Sequence, residues 1–256
     1  MRSRLRLTLS LPLAALLACG GSTNSPSSAG NPLVTGDYVF TISPSGSAAI
    51  NFTGALAVTG TSVTGVLRYS NPNAACVSAT QDIGFIGSVA NGALTLTSAA
   101  FSSSTATLTV QLPLSGSSGL AETAGGTAVI AGGSCALAST SLLAAYIPSY
   151  GQSYSGSLTG PVDGTLALAI AESAADADGQ FPVVATITYT GTSCSFSLTP
   201  VTGLVSGYTL SLGNGTTAPN SEIAITASST TSPINVNMSV FAGISCPIGS
   251  YAGTIH

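Results

Sequence analysis

The sequence predicts an all-β protein made of two tandem antiparallel repeats. Each repeat is a β-sandwich or barrel-like unit carrying one disulfide. Three observations predict this. Apolar residues alternate with polar ones in many short segments. The second half of the chain repeats the order of motifs in the first. Four cysteines in the body of the protein fall two to each half.

The alternation is clearest in four places. Leu108, Val110, Leu112 and Leu114 stand against Thr107, Thr109 and Gln111. Leu166, Leu168 and Ile170 form a second such row. Val183, Ala185, Ile187 and Tyr189 oppose Val184, Thr186, Thr188 and Thr190. Ile234, Val236, Met238 and Val240 oppose Asn235, Asn237 and Ser239. A period of two places one face in a core and the other in water, as in an antiparallel sheet. Only residues 141–146 read as helix-like, and residues 142–151 read as an extra connection between the repeats. Six to seven strands per repeat are expected. Alternation alone does not separate a sandwich from a barrel, or two small units from one larger one.

The repeat is legible motif by motif. Val66-Leu67-Arg68-Tyr69-Ser70 leads to Cys76, as Thr186-Ile187-Thr188-Tyr189-Thr190 leads to Cys194. Residues 87–96 then match residues 203–212, and Ala131-Gly132-Gly133-Ser134-Cys135 matches Ala242-Gly243-Ile244-Ser245-Cys246. Each copy is expected to end in a Tyr-small-Gly strand. These are Tyr154-Ser155-Gly156, which also opens copy two, and Tyr251-Ala252-Gly253. The predicted division is 33–148 for the first repeat and 152–256 for the second. Two separate cysteine pairs favour two units.

The first 18 residues are of a different kind. Arg2, Arg4 and Arg6 precede an apolar run over residues 7–17. That run is too short for a transmembrane helix and has the length of a signal-peptide core. Leu16-Leu17-Ala18-Cys19 closes it and resembles the lipobox of bacterial lipoproteins. The resemblance implies cleavage before Cys19 and lipidation (palmitate included) of its sulfur and new N-terminus, holding the protein on a membrane that it does not span. Gly20 in place of Asp favours, by resemblance to Gram-negative sorting rules, the outer membrane over the inner. Residues 19–32 are rich in Ser, Gly, Asn and Pro and free of charge, which predicts a flexible tether.

With Cys19 assigned to lipid, Cys76, Cys135, Cys194 and Cys246 remain. An even number in an exported chain suggests disulfides, and the repeat selects Cys76–Cys135 and Cys194–Cys246. A four-thiolate metal site lacks a C-x-x-C pair and any nearby histidine.

Charged residues make up only 5 % of the chain. After Cys19, Arg68 is the single basic side chain, against eight acids. Nucleic-acid backbones and anionic lipid surfaces are bound by clustered Lys and Arg, so both are excluded as electrostatic partners. Arg68 is expected to pair with Asp37 or Asp82. His256, the only histidine, is the last residue, so a Ser-His-Asp or Cys-His centre has no base in the body of the chain. Neither a G-x-S-x-G elbow nor a phosphate-binding Gly-Lys loop occurs.

Glu172, Asp176 and Asp178 are the remaining chemical candidate. Asp-x-Asp-Gly resembles the start of a calcium loop, but Gln180, Phe181 and Pro182 follow where further ligands belong. The three acids suit a solvated turn, a weak calcium site, or, least of all, the paired carboxylates of a glycosidase. Tyrosines 38, 69, 154, 189, 208 and 251 lie in strand-like segments and offer either a sugar-stacking face or packing at strand edges. No cofactor is called for.

The lipobox, the Ser/Gly tether and the repeated Tyr…Cys…Gly-x-Val/Leu…Cys…Tyr-x-Gly order together resemble a group of functionally uncharacterised tandem β-repeat lipoproteins of acidobacteria. The resemblance implies an envelope-anchored β-protein and supplies no catalytic residues. The expectation is therefore a non-enzymatic, lipid-anchored structural or binding module with a protein or glycan partner. A carrier of a small apolar or sugar ligand is the alternative, and a hydrolase is disfavoured.

Overall fold

The computed structural model describes residues 33–46, 48–69, 80–101, 105–114, 124–133, 136–213, 223–228, 233–241 and 244–256. They form two closed antiparallel barrels in tandem, each of eight strands. The first barrel comprises β1 (Gly36–Ser43), β2 (Ile50–Thr59), β3 (Ser62–Tyr69), β4 (Gln81–Ala90), β5 (Ala93–Ser98), β6 (Thr107–Pro113), β7 (Ala124–Ala131) and β8 (Leu137–Ile147). The second comprises β9 (Ser153–Thr159), β10 (Gly164–Glu172), β11 (Phe181–Gly191), β12 (Ser195–Ser206), β13 (Thr209–Gly213), β14 (Ile223–Ser228), β15 (Ile234–Val240) and β16 (Gly249–Ile255). Each strand pairs with the next in the chain, and the last pairs with the first.

The first barrel closes through seven residue pairs, from Asp37↔Ile147 to Ser43↔Ser141. The second closes through Ala252↔Thr159 and Gly253↔Leu158. Its seam continues in two backbone hydrogen bonds, Ser155 N–H to the His256 carbonyl (3.1 Å) and His256 N–H to the Ser155 carbonyl (3.0 Å). The only histidine thus serves the seam through its main chain.

Period-two alternation sorts side chains as expected. The four rows quoted above bury their Leu, Ile, Val, Met and Tyr members. Asn235 and Asn237 face outward, as do Thr95 and Thr97. This is the reverse of a lipid-embedded barrel, whose wall is apolar. Each interior is filled by its own apolar cluster. In the first barrel the Phe52 ring sits 5.4 Å from Tyr69 and 6.1 Å from Phe85. In the second, Tyr189 lies 5.4 Å from Tyr251 and 5.6 Å from Phe196.

The internal repeat has a structural counterpart. Residues 87–96 and 203–212 are equivalent hairpins, with Gly87 opposite Leu96 and Gly203 opposite Leu212. A Cβ on Gly87 would strike the Thr95 carbonyl, and one on Gly203 the Ser211 carbonyl. In both cases the bare backbone lets a neighbouring strand cross closely, a barrel device.

Four expectations change. Residues 141–146 are not helical. They lie in β8, with Leu142 and Ala144 turned inward. Pairing with β1 on one side and β7 on the other overrides the helix propensity of Leu and Ala. The connection between barrels therefore shrinks to residues 148–152. Each repeat has eight strands rather than six to seven, because small-residue strands such as β7 carry little hydrophobic signal. Tyr154-Ser155-Gly156 opens the second barrel in β9 and does not end the first.

Candidate functional site

Charge is confined within the described part of this molecule. Among the described residues the charged side chains are Asp37, Arg68, Asp82, Asp163, Glu172, Asp176 and Asp178. All but Asp163, in the turn before β10, gather where the barrels meet. The described outer walls elsewhere are mainly Ser, Thr, Asn, Ala, Gly and Val, with Ile86, Leu143 and Leu204 as exposed larger apolar residues.

The junction is built from the outer face of β1–β3 and the near end of the second barrel. Thr53 Oγ1 and Ser206 Oγ are 3.2 Å apart across it. Gly207, in the turn between β12 and β13, has φ +54. A Cβ there would come within 2.9 Å of Val39 and 3.0 Å of Thr53. A Cβ on Gly179 would collide with the Val66 carbonyl, and one on Gly54 would sit 3.1 Å from the Gly179 carbonyl. Glycine at 54 and 179 lets the two backbones touch, and glycine at 207 lets the turn seat on the Val39 and Thr53 side chains.

The linker is tied to the second barrel. Tyr150 N–H donates to Glu172 Oε2 at 2.7 Å, and the Tyr150 hydroxyl donates to the Tyr208 carbonyl at 2.9 Å. Glu172 is thereby a capping acceptor for the chain entering β9.

Asp37 points out from β1, yet docking of the second barrel leaves it only 4 % exposed. Neither carboxylate oxygen has a hydrogen-bond partner among the described residues. Burial away from water pushes its pKa up to about 7. The N–H groups of Tyr38, Gly207 and Gly54 lie near the carboxylate without completing a full hydrogen bond to it; they oppose the shift without cancelling it, and the Glu172 charge adds to it. Burial likewise raises the hydroxyls of Tyr146, Tyr150 and Tyr208, with Asp37 contributing to each.

Arg68 pairs with Asp82, not Asp37. Its Nε donates to Oδ1 at 2.7 Å and its terminal nitrogen to Oδ2 at 3.0 Å. The two residues are directly opposite on β3 and β4. Asp82 chiefly, then Asp178 and Asp176, raise the guanidinium pKa, so this cation faces the loop of the second barrel.

Asp176 organises that loop. Its Oδ1 accepts from Asp178 N–H at 2.9 Å and from Gln180 N–H at 3.0 Å. Its carbonyl accepts from Gly179 N–H at 3.1 Å. This is a side-chain-closed turn. Glu172 is committed to Tyr150, and no group of three His, Cys, Asp or Glu able to hold a metal occurs among the described residues. The three acids are therefore distributed over a cap and a turn.

Cys194 and Cys246 form a disulfide, with Cα atoms 5.1 Å apart. It joins the β11–β12 loop to the segment before β16. Cys19, Cys76 and Cys135 lie outside the described residues.

Five of the six strand tyrosines, Tyr38, Tyr69, Tyr154, Tyr189 and Tyr251, point inward, so they form no sugar-stacking face. Three of them anchor loops: Tyr38 donates to the Val34 carbonyl, Tyr189 to the Val162 carbonyl and Tyr251 to the Pro247 carbonyl. Tyr208 alone is exposed, at 43 %.

An open groove of about 490 Å³ crosses the outer wall of β3–β5, floored by Gly84 and flanked by Val66, Ile86 and Ala99. A shallower one of about 340 Å³ lies on β10–β11 beside Ala169 and Val184.

Sequence reasoning named Asp37 only as a candidate partner of Arg68 and gave no sign that the wall on which it stands would be covered. The signal available was indirect: a rare charge beside Gly36, on a chain almost without charges. Comparison with protein-family models, curated proteins and solved structures finds no match for the chain.

Proposed function

We propose that the protein is a lipid-anchored, non-enzymatic module of the bacterial cell envelope, outer membrane in preference to inner. The observation that carries this is Leu16-Leu17-Ala18-Cys19 at the end of a basic-then-apolar leader, followed by a charge-free tether. The double barrel fits the role. Its interiors are packed with side chains, and its described carboxylates serve a cap, a turn, an ion pair and the junction. Such a body is a stable block displayed at a surface.

The anchor is tested by growth with an alkyne-bearing palmitate analogue. Wild type takes up the label and fractionates with membranes; Cys19→Ser does neither. Recovery of unlabelled wild-type protein in the soluble periplasm overturns the reading.

A second reading, binding of a small apolar or sugar ligand, is favoured by the groove around Gly84 and the 68 % exposed Ile86. It places the ligand on the wall, not in the filled interior. Thermal unfolding against glycans and small apolar compounds tests it. A ligand at 100 times its Kd stabilises by about 2.7 kcal/mol, and Ile86→Ser should abolish that shift.

A further inference from the structure

Asp37 is a buried acid without a counter-charge. Its two oxygens are without hydrogen-bond partners among the described residues. Arg68, the cation of the junction, is engaged by Asp82 in a two-bond pair.

The groups around Asp37 offer no compensation. From the second barrel come Glu172, at the end of β10, and Tyr208, in the β12–β13 turn. From the linker comes Tyr150, and from the adjoining strand β8 comes Tyr146. The neighbouring Tyr38 sends its hydroxyl to the Val34 carbonyl. These groups are negative or neutral across the physiological range. Only the N–H groups of Tyr38, Gly54 and Gly207 favour the charged form.

We propose that the junction is a proton-controlled clasp: the barrels dock while Asp37 carries a proton, and its ionisation separates the β12–β13 turn from the β1–β2 wall.

The physical reason is desolvation. A protonated carboxyl in this site is a modest polar burden. An ionised one is a bare charge beside a second carboxylate, which burial makes costly. The cheapest relief is to admit water by moving Gly207 off Val39 and Thr53. Among the described residues, what resists that movement at this face is the Thr53–Ser206 hydrogen bond, the packing of Ala55 against the second barrel, and the close contacts at Gly54, Gly179 and Gly207. The linker of residues 148–152 supplies the pivot. Each barrel keeps its own core, so opening leaves both folded.

The test uses the full-length lipoprotein in detergent micelles. Donor and acceptor dyes are placed through unnatural amino acids at the outward positions Gln111 and Thr226, one per barrel. Energy transfer is followed from pH 4 to pH 9, and the Asp37 carboxyl ¹³C resonance is titrated in parallel. One narrow distance distribution is expected at low pH, broadening as pH rises, with half the change at the Asp37 carboxyl midpoint, which opening draws below the docked value of about 7 while leaving it above the ordinary 3.8. Asp37→Asn, which keeps the shape and cannot ionise, should stay narrow at every pH. A distribution that does not change with pH overturns the proposal, as does an Asp37→Asn protein that opens like wild type. If that variant does not fold, the carboxyl titration decides: a midpoint in the ordinary range near 4 overturns the clasp.

Discussion

Thr53 and Ser206 are separated by 153 residues in the chain, yet their hydroxyl oxygens lie 3.2 Å apart. They form a side-chain hydrogen bond between an outward position of one barrel and the last residue of β12 in the other. A neutral bond of this kind contributes about 1 kcal/mol net. Thr53→Val and Ser206→Ala should therefore each weaken docking slightly. A double-mutant cycle should return a coupling of about 0.5–1.5 kcal/mol. Additive effects would mean the hydroxyls do not bond.

Stability should fall with rising pH over a defined window. Asp37 has a folded pKa of about 7 against an ordinary value of 3.8. Between those values the folded state holds a proton that the unfolded state has released. Stability is highest below about pH 4, declines through the window and is flat above about pH 7. The ceiling on the loss is about 4 kcal/mol. Urea midpoints across pH check it, and Asp37→Asn should remove the slope. An unchanged slope in that variant would assign it to another group.

Removing the Cys194–Cys246 bridge frees a loop spanning 52 residues. The chain-entropy model gives a loss of about 4 kcal/mol. Reduction, or Cys194→Ala with Cys246→Ala, should lower the unfolding temperature of the second barrel by roughly 10 °C or more. The first barrel's transition should hardly move on the double substitution.

Two glycines offer a matched contrast. Gly203→Ala drives a methyl into the Ser211 carbonyl, whereas nothing lies within 4 Å of a Cβ on Gly84. Gly203→Ala should cost about 1–3 kcal/mol. Gly84→Ala should be neutral or mildly stabilising, since alanine loses less chain entropy on folding. Denaturant midpoints of the two variants separate the cases.

Arg68 and Asp82 retain 26 % and 32 % side-chain exposure, so water screens their attraction. Asp82→Asn should cost no more than about 1 kcal/mol, less in high salt.

The fold was legible where packing is one-sided. Val183 to Tyr189 and Ile234 to Val240 announce their inward faces by alternation alone, and the Gly87 and Gly203 hairpins announce the duplication. Strands made of small residues, such as Ala124–Ala131, were not legible, because a face built from Gly, Ala and Thr has no hydrophobic contrast. Closure was not legible either. The pairing of β1 with β8 links residues about a hundred positions apart, and no local pattern records it. The junction was the least visible part. Nothing local to Asp37 in the sequence marks it as buried; its burial comes from contact with Gly207 of the other repeat.

Closure into rings has a consequence for a protein with so few charges. A chain with so few charges gains little from mutual repulsion, and its Thr- and Val-rich segments have the composition of strands that stack between molecules. Because β1 meets β8 and β9 meets β16, neither sheet presents an unpaired edge to a neighbour. Protection against edge-to-edge pairing here rests on hydrogen bonds already made within each ring. The vulnerable place is the short seam between β9 and β16, where lost pairing would offer a template for the next copy.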